Sequence, residues 1–193
     1  MGLQTIYRKP KTTIKDPKNY KFPYLLKDLK IEHANQVWQT DITYIPMLRG
    51  FMYMNAIIDV YSRKILNWSI SYSMDKQWCI ELLEDTIADY GVPKIHNSDQ
   101  GSQYTSTQYI EVLKEHGIQI SMDGKGRALD NIYIERFWKS IKYEKIYLNP
   151  PNGGLNLYQM VNQYIEFYNT KRRHTEIGKV PPNQVYETKK IAA

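Results

Sequence analysis

From Val37 to Ile45 apolar and polar residues alternate with a period of two. Trp38, Ile42 and Tyr44 fall on one side and Asp41 on the other, which predicts a β-strand with its core-facing side opposite the carboxylate. Met47-Leu-Arg-Gly50 reads as a turn into Phe51 to Ile58, a mostly apolar run expected of a strand covered on both faces. A second turn, Val60-Tyr-Ser-Arg63, leads to a strand over Ile65 to Ser71, so the three strands predict an antiparallel meander.

The period then changes to that of a helix. Ile80, Leu83, Ile87 and Tyr90 define an amphipathic helix from Trp78 to Tyr90, stopped by Gly91 and Pro93. Lys94 to Ser98 reads as a short strand that delivers Asp99 to its end, where open α/β sheets place ligand sites. Gln108 to His116 predicts a second helix and Ile118 to Ser121 a fifth strand. On the helix that follows, Ile134, Phe137, Trp138 and Ile141 form an apolar stripe, and Asn131, Glu135, Lys139 and Lys142 share the neighbouring face. After the break at Asn149-Pro-Pro-Asn-Gly-Gly154 a last helix runs from Leu157 to Tyr168. This order predicts an α/β protein with a ribonuclease-H-like fold, a five-stranded mixed sheet flanked by helices.

Residues 4 to 33 lack lasting periodicity and are rich in Lys, Tyr and Pro. The chain therefore divides into a basic extended arm over residues 1–34, a core over 35–148, and a C-terminal helix with basic tail over 149–193. With 193 residues it holds one substantial core. The net charge of +6 is unevenly spread: residues 1–40 carry 8 basic and 3 acidic residues, 41–135 carry 8 and 13, and 136–193 carry 10 and 4. An acidic middle repels a polyanion unless cations fill it, while basic flanks neutralise phosphates, a pattern suited to a metal-dependent enzyme acting on nucleic acid. One cysteine, Cys79, cannot close an internal disulfide and reads as a small core residue in a reducing cytoplasm. No apolar run reaches membrane-spanning length. One cysteine and four histidines cannot supply a zinc module, so a bound metal would need oxygen ligands.

Three carboxylates supply them. Asp41, Asp99 and Glu135 each lie at or near the end of a predicted element, with 35 residues between the second and third. Two divalent ions roughly 4 Å apart require several hard oxygen ligands on rigid supports, the arrangement used to break and join phosphodiesters. Read singly, Asp99 is equally an Asx-turn or helix-cap residue, and Glu135 a solvated helical charge.

The motifs Trp38-Gln-Thr-Asp41-Ile-Thr-Tyr44, Ile58-Asp-Val-Tyr-Ser-Arg63, Asn97-Ser-Asp99-Gln-Gly-Ser-Gln-Tyr104, Gly124-Lys-Gly-Arg127 leading to Asp130-Asn131 and Glu135, and Tyr168-Asn-Thr-Lys-Arg172-Arg-His174 resemble the catalytic core of the retroviral-integrase (DDE) and transposase superfamily. Within it they are most similar to insertion-sequence transposases encoded as a second open reading frame. The resemblance implies that Asp41, Asp99 and Glu135 are catalytic and hold two Mg²⁺ or Mn²⁺ ions. It also implies that DNA is nicked and then joined to a target, and that Lys142, seven positions after the glutamate, contacts phosphate. A homo-oligomer on DNA and a helix-turn-helix partner from an adjacent reading frame are further implications. Lys125 and Arg127 in the glycine-rich loop, Asn131 and Lys139 beside Glu135, and Arg172, Arg173 and His174 in the tail are the remaining candidate DNA contacts. The tail charges equally suit a helix C-terminus. Asp59 and Arg63 read as a structural turn pair, and His96 as a half-buried structural histidine. Two other readings stay open: a DNA-binding remnant that does not transpose, separated by metal-dependent nicking, and a ribonuclease-H-type nuclease, separated by substrate preference.

Overall fold

A computed structural model describes residues 22–124 and 130–188. Lys125 and Arg127, the first 21 residues of the basic arm and the last five of the tail lie outside the described residues. The strands β1 (Val37–Pro46), β2 (Phe51–Asp59), β3 (Ile65–Ser71), β4 (Ile95–Ser98) and β5 (Gln119–Met122) form one sheet in the order β3-β2-β1-β4-β5. The first three are an antiparallel meander, whereas β4 runs parallel to β1 and β5 parallel to β4. Pairing between β1 and β4 covers only Val37 to Gln39, so beyond Thr40 that edge of β1 is free to meet other elements.

The helices α1 (Lys76–Tyr90) and α2 (Thr107–Glu115) cover one face, packing Cys79, Leu83, Ile110 and Leu113 against Trp38 and Ile57. On the other face α3 (Ile132–Ile141) and α4 (Gly154–Thr170) pack Ile134, Phe137, Ile141, Leu157 and Val161 against Ile45, Met54 and Ile58. Gly91 ends α1 in the left-handed region at φ 84°, its N–H donating to Ile87 O. Side-chain caps open the first two helices, Asp75 accepting from Gln77 N and Ser106 from Tyr109 N.

Two features depart from the sequence pattern. The side of β1 that carries Asp41 is not open: it is roofed by α3, because a sheet with parallel crossovers is covered on both faces. A short helix α5 (Pro182–Glu187), too brief to show a period, packs Tyr186 into the α1/α2 core and donates its hydroxyl to Asn35 Oδ1 at 3.1 Å. Residues of the arm nearest the core also pack. Leu25, Leu26, Leu29 and Ile31 lie against Val37, Val60 and Ile95, and Leu25 N–H donates to Ser121 Oγ at 3.0 Å.

Candidate active site

Asp41 stands midway along β1, paired in register with Ala56, and its Oδ2 accepts from the indole Nε1–H of Trp138 on α3 at 2.9 Å. Burial pushes its carboxyl up to about 7, helped by the negative charge of Asp99 and, less, of Glu135; the Trp138 bond works in the opposite direction. Asp99 follows the last residue of β4, one strand over, and burial raises its pKa as well. Glu135 is exposed on the first turn of α3, three residues before Trp138. The charges of Asp99 and Glu135 both reach Asp41, although the three residues come from three separate elements.

Their oxygen donors and the mutual repulsion felt by Asp41 fit a divalent cation. Among the described residues, however, no group of three or more His, Cys, Asp or Glu side chains is closed onto a common point. The protein itself holds two of the oxygens apart: Trp138 takes Asp41 Oδ2, and the backbone N–H of Gly101 takes Asp99 Oδ1 at 2.8 Å. Gly101 has a steric role here, since a Cβ at that position would sit 2.8 Å from Asp99 Oδ1 and 3.5 Å from Oδ2. Gly101→Ala is therefore expected to push the Asp99 carboxylate aside. On the function proposed below, metal-dependent phosphodiester cleavage should fall about a hundredfold, the cost of a displacement near 1 Å, while the melting temperature stays close to wild type. Wild-type nicking by the variant would show that the Asp99 position is not critical.

Sequence reasoning missed a fourth carboxylate. Asp123 follows β5 as Asp99 follows β4, and the parallel register Ser98↔Met122 sets the two side by side. Burial pushes its pKa up to about 7, with Asp130, Asp99 and Asp41 adding repulsion and a bond from Asn97 Nδ2 at 2.8 Å opposing it. The available signal was positional, since β4 and β5 are each followed directly by an aspartate. Behind the carboxylates a buried polar network fixes the start of α3. Gln39 Nε2 donates to Asp130 O at 3.1 Å, and Asp130 Oδ2 accepts from Gly124 N. Asn131 Nδ2 donates to Thr40 O at 3.1 Å on the free edge of β1.

That last bond corrects the placement of Asn131. It is not a surface neighbour of Glu135 but 3% exposed, tying α3 to β1, because residues ahead of the first turn do not follow the helical face of those within it. Lys139 is exposed, as the helical face requires. Lys142 is half-buried where α3 passes into a π-helical turn over Lys142–Ile146; its Nζ donates to Thr43 Oγ1 at 2.7 Å and lies 5.0 Å from the Tyr44 ring. Burial lowers its pKa and the charge of Asp41 opposes that shift, so the Lys142 ammonium lies within reach of the Asp41 charge.

In the tail, Arg172 is held in a two-pronged pair with Glu144, at 3.0 and 2.7 Å. His174 lies edge-on to Tyr168, and burial followed by the charges of Arg172 and Arg63 drives its pKa down to about 4. Arg173 is exposed. His96 is fully buried rather than half-buried, bonded to Tyr109 on the α2 side of the sheet, with burial lowering it to about 3.

The Integrase core domain family matches residues 31–128, and a second family of the same description matches 116–182. The chain belongs to the integrase core domain family. The transposase for insertion sequence element IS904 of Lactococcus lactis subsp. lactis is 38% identical over 164 residues, which cover 83% of this chain and 65% of that protein. Transposase InsF for insertion sequence IS3A of Escherichia coli K12 is 34% identical over 171 residues, 87% of this chain and 59% of that one. The integrase core thus spans about three fifths of the length of the curated relatives it matches. Among solved structures, the catalytic core of HTLV-2 integrase in complex with magnesium matches with a TM-score of 0.65 at 20% identity, covering 80% of this chain and 97% of that one. A simian T-cell lymphotropic virus intasome matches at 0.68 and 18%, covering 93% and 61%. These likenesses establish the ribonuclease-H-like fold expected from the order of elements.

Proposed function

We propose that this integrase core is the catalytic domain of an insertion-sequence transposase, which cuts a phosphodiester at an element end and joins the freed 3′-hydroxyl to target DNA. The observation that supports it is that the charges of Asp99, at the end of β4, and Glu135, on α3, reach Asp41 on β1, with no basic side chain hydrogen-bonded to any of the three among the described residues. The printed names of the relatives, transposases for insertion sequences, agree with it. Asp41, Asp99 and Glu135 would hold two Mg²⁺ or Mn²⁺ ions, which would supply activation of the attacking oxygen and stabilisation of the leaving one.

The rest of the chemistry falls to the chain. Trp138 and Gly101 orient the two aspartates before the ions arrive. Lys142, on a mobile four-carbon stem, can leave Thr43 Oγ1 for a phosphate oxygen of the DNA passing the site. Lys139 continues that cationic line one turn along from Glu135, and Lys125 and Arg127 belong to the same proposed DNA path. Action at two DNA partners implies a homo-oligomer on DNA in the cytoplasm, with a helix-turn-helix partner supplying recognition of the element end. Among the described residues no helix is long and apolar enough to cross a membrane.

The test is incubation of the full chain with labelled element-end duplex, plasmid target and Mg²⁺ or Mn²⁺, beside an RNA–DNA hybrid. Nicked ends and joined products that require the metal are expected. Cleavage of the hybrid alone would establish a ribonuclease-H-type nuclease, and metal-independent binding without cleavage a non-transposing remnant.

A further inference from the structure

A cleft of about 390 Å³ opens beside α3, lined by Arg63, Arg136, Lys139, Arg172, Arg173 and Glu176 among others. Five basic residues face one acidic one. Arg172 is already neutralised by Glu144, which leaves Arg63, Arg136, Lys139 and Arg173 against Glu176. The Glu176 carboxylate is the acceptor for two of them: it pairs with Arg136 and lies 3.5 Å from Arg63 Nη2.

Arg63 is held there at a conformational cost. Its φ of 66° lies in the left-handed region that favours glycine. The turn that imposes it is fixed by the buried Asp59 carboxylate, which accepts from Asn35 N, Ser62 N and Ser62 Oγ, and by Arg63 N–H donating to Asp59 O. The guanidinium stacks on the Tyr133 ring at 3.6 Å, with its side chain 16% exposed. Its buried Nε–H finds no acceptor among the described residues. A planar donor fork, strained into place, stacked, and short of one acceptor, is built for an oxyanion with more oxygens than a carboxylate offers.

We propose that Ile58-Asp-Val-Tyr-Ser-Arg63 builds a backbone-phosphate pocket for DNA beside the carboxylate centre, and that Glu176 holds the phosphate's place until DNA displaces it. Lys139 lines this cleft and also stands one helical turn from Glu135, so a strand leaving the catalytic centre across α3 enters the pocket with its next phosphates. This deepens the reading of the chain as an enzyme on DNA and rests on it.

DNA affinity measured without divalent metal tests the pocket independently of catalysis, using fluorescence anisotropy of the full chain with a labelled duplex across a salt series. Glu176→Gln removes the competing carboxylate, and about two- to fivefold tighter binding is expected, the range of one exposed ion pair. Arg136→Ala should weaken binding and flatten the salt slope by about one. Arg63→Lys keeps the charge but lacks the Nε–H, and weaker binding than wild type is expected. The Arg136→Ala/Glu176→Gln double variant should not recover the gain of Glu176→Gln. Unchanged affinity and slope in Glu176→Gln and Arg136→Ala, with lowered melting temperatures, would reduce the cluster to a structural ion pair and overturn the pocket. Loss of nicking with these affinities behaving as expected would instead fault the catalytic reading alone.

Discussion

Asp99→Asn is expected to abolish metal-dependent nicking and joining while leaving the folded chain slightly more stable. A metal ligand contributes several kcal/mol to the transition state, so the loss should be on the order of a thousandfold or more. Stability moves the other way because Asp99 is buried and close enough to Asp41 to raise its pKa. Asn keeps an Oδ1 to accept from Gly101 N–H and takes one negative charge out of the cluster. A gain of about 1 kcal/mol corresponds to roughly 3 °C for a chain of this length. An aspartate serving only its turn would behave differently, with the variant melting lower and nicking as wild type does. That outcome would remove Asp99 from the catalytic centre.

The second large effect couples pH, metal and stability. Asp41 and Asp123 rise from 3.8 to about 7 on folding. In the unfolded chain each loses its proton near 3.8, whereas the native protein holds it until about 7. Stability contributed by the neutral carboxyls is therefore full at low pH, falls across that window and is lost above it. For Asp41 alone the difference amounts to roughly 4 kcal/mol, and the two residues share part of the repulsion. His96 and His174, lowered to about 3 and about 4, act with the opposite sign: they hold no proton when native, so their contribution is lost as pH falls below about 6.5. Comparison of variants cancels the histidines. Asp41→Asn should gain stability over wild type from pH 5 up to about pH 7 and hold that gain to pH 8 without metal. Mg²⁺ should shift the melting temperature of wild type strongly at pH 8 and little at pH 5. At a hundredfold excess over its Kd the shift corresponds to about 2.7 kcal/mol, or roughly 5 to 10 °C. An equal Mg²⁺ shift at both pH values, or one unaffected by Asp41→Asn, would place the ion elsewhere.

The chain makes its functional demands on Trp138 in two ways at once. Its indole is 6% exposed within the α3/α4 core, and its Nε1–H reaches Asp41. The helical stripe disclosed the first role, since burial follows period, but not the second. A hydrogen bond between residues 97 positions apart depends on where α3 crosses β1.

The same division runs through the whole molecule. Local physics made the elements legible: alternation fixed β1, helical spacing fixed α1, and Gly91 marked its end, because each depends on neighbours within a few residues. Asp41, Asp99 and Glu135 were readable as candidates through the motifs that resemble the integrase superfamily, since taken singly Asp99 suits a turn and Glu135 a solvated helix face. What tertiary structure alone decided is everything that depends on crossovers. It roofed the Asp41 side of β1 with α3, drew Asn131 from the surface to Thr40 O, and set Asp123 beside Asp99. It lowered the pKa of His174 by burial and turned the Asp59 to Arg63 hairpin into one wall of a basic cleft. Periodicity reports which side of an element is apolar; which partner arrives there, and how much water it expels from a charge, is set by the packing of segments distant in sequence.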